Sequence, residues 1–299
     1  MIIQWFPGHM NKALKTLENE IKNVDAVIYV LDARAPFSCL NPKFTGIIGN
    51  KPIIYVLNKA DLGDKIRVDE WIKYFEKDNC RVVALDSTHT GSAKKISEII
   101  KDLNKSKIEK YKAKNINITL KAIVIGVPNS GKSTLINNLC GSAKTITGNK
   151  AGVTRGKQWV RIGNGVDLLD MPGTLWPAFD NNTVACHLAY IGSIKNEVLD
   201  LPELSLDLIK ELIILDKNIL QNRFGIVIED GQMPVEVLEN ICLARKYVLK
   251  GGDVDYDRGA IALINEFRKG QLGAITLESV NDIKALTKRD RKNVELRNR

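Results

Sequence analysis

Residues 126–134 combine glycine, lysine and hydroxyl side chains at the spacing of a phosphate-binding loop. The pattern G-x-x-x-x-G-K-S runs from Gly126 to Ser133 and is called the phosphate loop below. Glycines let successive backbone N–H groups turn towards phosphate oxygens, and a helix that begins at the loop adds its positive end. Lys132 should reach the β- and γ-phosphates of a nucleotide, and the Ser133 hydroxyl should bind Mg²⁺. The other residues that we expect to line this site are Asn129, Ser130, Gly131 and Thr134.

The segments on either side of the phosphate loop support this interpretation. Residues 121–127 (KAIVIGV) are rich in β-branched side chains, which is typical of a buried strand. Residues 133–141 (STLINNLCG) have apolar side chains at helical spacing. A strand before the loop and a helix after it are the context of a true phosphate-binding loop, whereas a glycine-rich turn with an unrelated lysine needs neither.

A second motif follows the buried run 52–57 (PIIYVL): the tetrapeptide Asn58-Lys59-Ala60-Asp61 fits N-K-x-D, and residues 58–62 are called the base loop below. A buried carboxylate at Asp61 can accept hydrogen bonds from guanine N1–H and its N2 amine. Adenine has an acceptor at N1 and no N2 amine, so the same carboxylate would be left unpaired against ATP. Lys59 can lay its alkyl stem along the base, and Asn58 can tie the base loop to the phosphate loop.

A third stretch, residues 81–85 (RVVAL), predicts a short strand that ends in Asp86 and Ser87. In GTP-binding proteins a loop in this place donates a backbone N–H to guanine O6, and Asp86 and Ser87 are the candidates. A plain turn explains the same residues almost as well.

The predicted switches lie beyond the phosphate loop. Asp170 and Gly173 fit D-x-x-G at the end of a predicted strand, where Asp170 can hold Mg²⁺ through a water and Gly173 can turn its N–H to the γ-phosphate. Thr154, in the stretch between the two motifs, can close on Mg²⁺ when GTP is bound. Because both segments sense one phosphate, we expect them to be ordered with GTP and released after hydrolysis.

These motifs need elements that bring several strand ends together. The continuous apolar runs 26–31 and 52–57 are typical of a parallel sheet covered on both faces. We therefore predict an α/β fold for residues 1–178, with a mostly parallel sheet and helices on both faces. Residues 179–285 predict a small all-α domain of four or five helices, and residues 286–299 a basic tail. The helices predicted there are 184–199, 205–217, 234–249 and 258–269, with an extended piece at 272–277.

The amino-acid composition indicates which kinds of partner and which compartment to expect. The formal net charge of +9 favours a polyanionic partner, although solubility alone also explains a basic excess. Residues 284–299 carry seven Lys or Arg against Asp290 and Glu295, a basic excess that both solvation and phosphate binding would explain. Residues 94–114 predict a lysine-rich helix and linker, which favours a solvated segment, with a nucleic-acid contact as the alternative. The scattered cysteines indicate neither a zinc site nor disulfides. The first residues do not resemble a signal peptide and no apolar run reaches about 18 residues, so we expect a cytoplasmic protein, with a monomer as the default state.

The order of the motifs is unusual, because N-K-x-D precedes the phosphate loop and the motifs are therefore circularly permuted. In that order the chain resembles the circularly permuted GTPases of the YlqF/YawG group over its whole length. The resemblance implies GTP hydrolysis coupled to late maturation of the large ribosomal subunit, with GTP or GDP, Mg²⁺, rRNA and ribosomal proteins as ligands and partners. The segments that carry it are 5–10 (WFPGHM), 32–36 (DARAP), 58–61 (NKAD), 126–133 (GVPNSGKS), 152–154 (GVT) and 170–177 (DMPGTLWP).

Two mechanistic questions stay open in the sequence. Thr174 and Leu175 follow Gly173 where Ras-like enzymes place a water-orienting glutamine. The resemblance points instead to His9 as the water-orienting catalytic residue, although packing or an RNA contact would also explain it. Asn129 matches phosphate loops that coordinate K⁺, which could supply positive charge.

Two functions other than that of a ribosome-assembly GTPase share some of these motifs. A nucleotide-dependent RNA-binding scaffold with negligible hydrolysis is the alternative that the missing glutamine leaves open. A permuted GTPase of the small subunit would need an OB-fold before N-K-x-D and a Cys/His zinc cluster after the switches, and the sequence fits neither.

Overall fold

The structure is a computed structural model that describes residues 8–141, 158–162, 165–176, 179 and 181–281, without the side chain of His9. Thr154 and the tail 286–299 lie outside the described residues, as does the proposed catalytic side chain of His9. Residues 177, 178 and 282–285 also lie outside them, so the domain boundaries remain predictions.

A six-stranded sheet forms the centre of the region that holds the motifs, in the order β3-β2-β1-β4-β6-β5. All neighbouring strands are parallel except β5, which is antiparallel to β6. The predicted mostly parallel sheet is therefore confirmed. The strands are β1 Ala26–Asp32, β2 Ile53–Asn58, β3 Cys80–Leu85, β4 Leu120–Ile125, β5 Gln158–Arg161 and β6 Val166–Asp170.

Helices cover both faces of this sheet, as the continuous apolar strands predict. Alternate residues of β1 show the two faces: Ile28 packs in the core with α4 and α6, while Val27 and Leu31 pack in the larger core with α1 and α3. Most of these helices contribute buried apolar residues to a core, whereas α5 contributes only the partly buried Ile108. The helices are α1 Gly8–Glu20, α2 Pro42–Ile48, α3 Lys65–Phe75, α4 Lys94–Leu103, α5 Lys105–Lys112 and α6 Lys132–Cys140.

Five further α-helices follow among residues 181–281, in agreement with the predicted four or five. They share the larger core with α1 and α3, so the helical region packs directly onto that side of the sheet. Among the described residues, none of the helices is both long and apolar enough to cross a bilayer. The helices are α7 Asn182–Tyr190, α8 Leu201–Asp216, α9 Asn218–Phe224, α10 Pro234–Ala244 and α11 Tyr256–Arg268.

Several predicted helix bounds were wrong. The helix predicted over 184–199 ends at Tyr190, because Gly192 has a left-handed φ of +78° that stops it. The helix predicted over 234–249 ends at Ala244, two residues before Lys246 with φ +56°. Residues 94–112 form two helices separated at Asn104 rather than one helix and a linker. The short helices α2 and α9 were not predicted.

The extended piece predicted over 272–277 crosses back to the sheet, and residues 272–278 are called the return segment. Its backbone donates hydrogen bonds from Ile275 N to Leu62 O and from Leu277 N to Arg34 O, both at 2.8 Å. The Thr276 hydroxyl donates to Ala33 O at 2.9 Å. The return segment therefore contacts the loops at the carboxyl ends of β1 and β2.

Candidate nucleotide site

The predicted motifs meet at the carboxyl edge of the sheet, the edge at which open α/β folds bind ligands. The strand register places Asp32 beside Asn58, at the ends of β1 and β2. It also places Val124 of β4 beside Asp170 at the end of β6. Motifs that are far apart in the sequence are thus brought together by parallel strands.

The phosphate loop has backbone geometry that its glycines permit. Gly126 has φ +150°, and a Cβ there would lie 2.3 Å from Val30 O. Gly131 has φ +92°, and a Cβ there would lie 2.1 Å from Asn58 Nδ2. Asn129 between them is also left-handed, with φ +59°. The glycines of the motif are therefore needed both for conformation and for close approach to neighbouring loops.

Lys132 is buried at the start of α6 and lies over the phosphate loop. Its Nζ donates a hydrogen bond to Val127 O at 2.8 Å, and the Ser130 hydroxyl donates to the same carbonyl at 3.0 Å. Burial lowers the pKa of Lys132 to about 8, against the opposing effect of the Asp170 charge. Thr134 is half-buried in the first turn of α6.

Asp170 and Ser133 form a pair of oxygen donors beside this lysine. The Ser133 hydroxyl lies 3.4 Å from Asp170 Oδ2, while Asp170 Oδ1 is buried and accepts no hydrogen bond from the described residues. Burial raises the pKa of Asp170 to about 6 even though Lys132 is near. A hydroxyl, a carboxylate and an unsatisfied carboxylate oxygen fit Mg²⁺, which prefers hard oxygen ligands.

The D-x-x-G segment packs directly against the phosphate loop. A Cβ on Gly173 would lie 2.6 Å from Pro128 Cα and 2.9 Å from Lys132 Nζ, and Thr174 N donates to Gly126 O at 3.3 Å. Leu175 is buried, and its N–H points to Met10 Sδ of α1 at 3.5 Å. The first turn of α1, which includes His9, therefore lies next to the segment that lacks the glutamine.

Asn58 joins three loops. Its Nδ2 donates to Ser130 O at 2.8 Å, and its Oδ1 accepts from Ser87 N at 3.0 Å. The predicted tie between the base loop and the phosphate loop is confirmed. The Ser87 N–H is already donated to Asn58 here, so its predicted donation to guanine O6 would require an exchange of partners. The Asp86 carboxylate accepts from Thr88 N at 2.8 Å.

Lys59 and Asp61 occupy the rest of the base loop. Lys59 has φ +56°, and its Nζ donates to Asn129 O at 2.8 Å and lies 2.9 Å from Asp32 Oδ2. Asp61 lies in the turn Ala60–Leu62 and is exposed, whereas the sequence analysis assumed a buried carboxylate. A base bound against the loop would have to supply that burial.

The partners of Asp32 were missed by the sequence analysis. The motif Asp32-Ala-Arg34-Ala-Pro36 was visible at the end of a predicted strand, but it was given no role. In the structure Arg34 is buried and binds Asp32, which in turn binds Lys59 of the base loop. The available signal was a pair of opposite charges, Asp32 and Arg34, directly after an all-apolar strand.

Comparison with known proteins identifies the family. The sequence model described as 50S ribosome-binding GTPase matches residues 121–223. Ribosome biogenesis GTPase A of Bacillus cereus is 37% identical to this chain, over 93% of this chain and 94% of its own length. The chain belongs to the ribosome biogenesis GTPase A family. It is therefore a GTPase that binds guanine nucleotides, as the motifs predict.

Other members and neighbours of the ribosome biogenesis GTPase A family agree with this assignment. Mitochondrial ribosome-associated GTPase 1 of Mus musculus is 30% identical over 93% of this chain and 90% of its own length. The GDP-bound structure of YlqF from Thermotoga maritima has a TM-score of 0.62 and 25% identity, and it covers 89% of this chain and 99% of that chain. The GNP-bound YlqF structure gives a TM-score of 0.60 at 25% identity, over 90% of this chain and 98% of that chain. The predicted fold class is confirmed.

Proposed function

We propose that this GTPase is an assembly factor for the large ribosomal subunit, which binds pre-ribosomal particles in the GTP state and is released on hydrolysis. The observation that carries the proposal is the direct packing of the helical region on the phosphate loop. Ser193 Oγ donates to Pro128 O at 2.7 Å, and Asn129 Nδ2 donates to Ile191 O at 3.1 Å. A change at the phosphates thus reaches the end of α7 without an intermediate element.

The names of the relatives and the positive net charge of the chain support a ribosomal partner. The matching family model is described as ribosome-binding, and the relatives are named for ribosome biogenesis or ribosome association. The net charge of +9 suits rRNA, and the basic tail adds charge beyond the described helices. We further propose that the protein acts in the cytoplasm as a monomer, in contact with rRNA and ribosomal proteins of the large subunit.

The site residues receive the following roles in this proposal. Lys132 and the phosphate-loop N–H groups hold the β- and γ-phosphates, Gly173 N–H senses the γ-phosphate, and Asp61 accepts from guanine. The buried Asn58 positions the loops rather than the base, since both ends of its amide are occupied by protein. The remaining nucleotide-lining residues in the proposal are Lys59, Asp86, Ser87, Asn129, Ser130, Gly131, Ser133, Thr134 and Thr154.

Two cations are part of the proposal. Ser133, Thr154 and Asp170 are the residues assigned to Mg²⁺, which supplies positive charge to the β- and γ-phosphate oxygens when bound. Asn129 is assigned to K⁺. Its Nδ2 is held by Ile191 O, which leaves Oδ1 as the acceptor of that side chain. Equal hydrolysis rates in potassium and sodium buffers would exclude the K⁺ assignment.

His9 is the proposed water-orienting residue. The contact between Met10 and Leu175 supports it, because it places the first turn of α1 beside the D-x-x-G segment. A histidine there can accept a proton or hydrogen bond from the attacking water. We expect His9→Ala to slow single-turnover hydrolysis by about 100-fold, the lower range for loss of a positioned acid–base group. Unchanged turnover with and without ribosomal subunits would contradict the role.

Hydrolysis with purified subunits tests the function as a whole. The rate is measured for the protein alone, with large subunits and with small subunits, in potassium buffer. We expect stimulation by the large subunit only, and loss of binding to that subunit when GTP is replaced by GDP. Stimulation by neither subunit would contradict the assembly-factor mechanism. GTP-dependent subunit binding without hydrolysis would instead favour the RNA-binding scaffold.

A further inference from the structure

Behind the base loop lies a buried ion cluster in which Asp32 and Arg34 have no role in the proposed chemistry. The Asp32 side chain is completely buried at the end of β1. Its two oxygens accept hydrogen bonds from Arg34 Nε and Nη2, each at 2.8 Å, in a bidentate arrangement. The Lys59 Nζ lies 2.9 Å from Asp32 Oδ2. One carboxylate is therefore shared by a buried arginine and by the lysine of the base loop.

The cluster keeps its charges. Burial alone would raise the pKa of Asp32, but the adjacent charges of Arg34 and Lys59 outweigh it and hold the pKa well below its usual range. The Lys59 ammonium is fixed from two sides, because it also donates to Asn129 O of the phosphate loop at 2.8 Å. The direction of the Lys59 stem therefore depends on where Asp32 is held.

The other edge of the Arg34 guanidinium reaches the helical region. Its Nη1 donates to Phe267 O at 3.3 Å and to Arg268 O at 3.1 Å, at the carboxyl end of α11. The guanidinium carbon also lies 5.3 Å from the centre of the Phe267 ring. A cation that caps the last carbonyls of a helix is favourable for the helix dipole. Arg34 therefore bridges α11 and the base loop.

The end of α11 is itself tied to α7. Arg268 donates from Nη2 to Ala189 O at 2.7 Å and from Nε to Tyr190 O at 2.9 Å. The next carbonyl of the chain, Ile191 O, accepts from Asn129 of the phosphate loop. Two arginines thus connect the ends of two helices to the nucleotide site by a path that involves neither proposed switch.

We propose that Arg34 is a positioning residue of the nucleotide site, which orients Lys59 through Asp32 and couples guanine-nucleotide affinity to the docking of α11. The proposal rests on the proposed role of the base loop in guanine binding. The planar guanidinium of Arg34 binds both carboxylate oxygens through Nε and Nη2 and donates to the carbonyls from Nη1, whereas the single ammonium nitrogen of a lysine cannot span these partners. By thermodynamic linkage, nucleotide binding must stabilise the α11 contact to the same degree.

The first test compares Arg34→Lys with the wild-type protein. The dissociation constant of N-methylanthraniloyl-GDP is measured by fluorescence titration, and its dissociation rate by stopped flow. We expect Arg34→Lys to bind the nucleotide about tenfold more weakly, through faster dissociation. A loss of about tenfold in affinity is the usual effect of losing one charge-assisted hydrogen bond. Arg223→Lys is the matched control. Arg223 of α9 binds Glu266 of α11 at 2.7 Å. The control substitution therefore perturbs α11 through a residue that is not in contact with the base loop.

A double-mutant cycle with Lys59→Met separates positioning from a general structural effect. If Arg34 acts through Lys59, Arg34→Lys weakens binding much less in the Lys59→Met background than in wild type. If the double variant binds more weakly by the product of the two single fold-changes in the dissociation constant, the two residues act independently and the proposal is overturned. If Lys59→Met weakens binding and Arg34→Lys does not, positioning fails while the base loop stands. If Lys59→Met has no effect, the proposed nucleotide-lining role of Lys59 fails, and positioning through Lys59 fails with it.

A measurement on the wild-type protein covers the case in which Arg34→Lys does not fold. Amide hydrogen exchange is followed with and without saturating GDP. We expect slower exchange at the end of α11, at Lys269 and Gly270, whose N–H groups bond to Asn265 O and Phe267 O. Amides of α10 serve as the internal control. Unchanged exchange at the end of α11 would overturn the coupling.

Discussion

At the scale of single residues, the nucleotide site contains two ionisable groups whose charged forms are disfavoured by burial. Burial shifts Lys132 and Asp170 in opposite directions, to pKa values of about 8 and about 6, and in each case towards the neutral form. Groups perturbed in this way concentrate at functional sites, because a ligand of opposite charge recovers the cost. Here the expected ligands are a phosphate for Lys132 and Mg²⁺ for Asp170.

Asp170→Asn should therefore stabilise the protein and impair its function together. The pKa of Asp170 is raised from 3.8 to about 6. A raised carboxyl pKa means that ionisation disfavours the folded state, so above pH 6 the ionised group lowers the free energy of unfolding by about 2–3 kcal/mol. Asparagine mimics the neutral acid. Without nucleotide, we expect the thermal midpoint of Asp170→Asn to be about 5 °C higher than that of wild type. With GDP, we expect added Mg²⁺ to raise the midpoint of wild type but not that of the variant.

The control for this substitution lies on the same strand. Asp167→Asn removes a carboxylate that is paired with the exposed Arg161 at 3.4 Å, so the thermal midpoint and the Mg²⁺ effect should stay as in wild type. Differential scanning calorimetry at pH 7.5 measures both variants. A lower midpoint for Asp170→Asn would show that the carboxylate stabilises the fold and would contradict the argument.

At the scale of elements, the contact between the D-x-x-G segment and the phosphate loop depends on the absence of one side chain. Gly173 does not have a left-handed φ, so alanine is compatible with its backbone. The cost of Gly173→Ala is therefore steric: the new Cβ would meet Pro128 Cα at 2.6 Å and Lys132 Nζ at 2.9 Å. Both contacts lie in the phosphate loop or at the start of α6.

We expect Gly173→Ala to weaken GTP binding more than GDP binding. The new Cβ moves the Lys132 ammonium and the residue 173 N–H, which are the two groups proposed to face the γ-phosphate. A difference of about tenfold in the ratio of the two dissociation constants corresponds to 1.4 kcal/mol, a modest steric displacement. Isothermal titration calorimetry with GDP and a non-hydrolysable GTP analogue measures it. Gly46→Ala in α2 is the control, since nothing lies within 4 Å of its Cβ. Equal losses for both nucleotides would contradict the prediction.

The elements also show which features could be predicted from the sequence. The phosphate loop and base loop could be, because each signal is local: a run of β-branched residues, then a short motif at the strand end. The helices α2 and α9 could not be found by periodicity, since each has only 7 residues. α2 also contains Gly46 within a Pro- and Gly-rich stretch, and α9 follows α8 after Lys217 alone, which hides the boundary.

The longer-range parts of the site left no local signal. Arg34 meets Phe267 across 233 positions of the chain, and Asn129 meets Ile191 across 62. Such contacts follow from the packing of the helical region, which no residue pattern near Arg34 specifies. The sequence therefore predicted the motifs that meet at this edge of the sheet, but it did not predict the contacts that hold them in place.

At the scale of the whole molecule, a second buried cluster joins the helical region to the sheet. His187 of α7 lies between Glu278 of the return segment, 2.8 Å from Nδ1, and Glu211 of α8, 2.9 Å from Nε2. Glu278 also accepts from the N–H groups of Phe37 and Ser38, in the loop after β1. The cluster lines a cavity of about 530 Å³ between the two regions. The charge state of His187 therefore affects how firmly they dock.

The sign of its pH effect follows from the pKa. Burial alone would lower the pKa of His187, but the two carboxylates raise it from 6.5 to about 9. A raised pKa means that the stabilisation is complete below pH 6.5 and is lost as pH rises through 9, by about 3 kcal/mol in all. The pKa of Lys132 is lowered from 10.5 to about 8, so its contribution changes with the opposite sign as pH rises from 8 to 10.5, which overlaps the upper part of the His187 range. Differences between variants isolate His187.

His187→Gln should therefore change how stability depends on pH, in addition to lowering it. The free energy of unfolding in urea is measured between pH 6.5 and 9.5 for the variant and for wild type. We expect the variant to be least stable relative to wild type at pH 6.5, with a gap that narrows by about 2–3 kcal/mol towards pH 9.5. Ser205→Ala removes a hydrogen bond within α8, from the Ser205 hydroxyl to Pro202 O at 2.7 Å, and no charge, so its gap should not change with pH. A constant gap for His187→Gln would mean that the imidazole is neutral and that the two regions are not held by its charge.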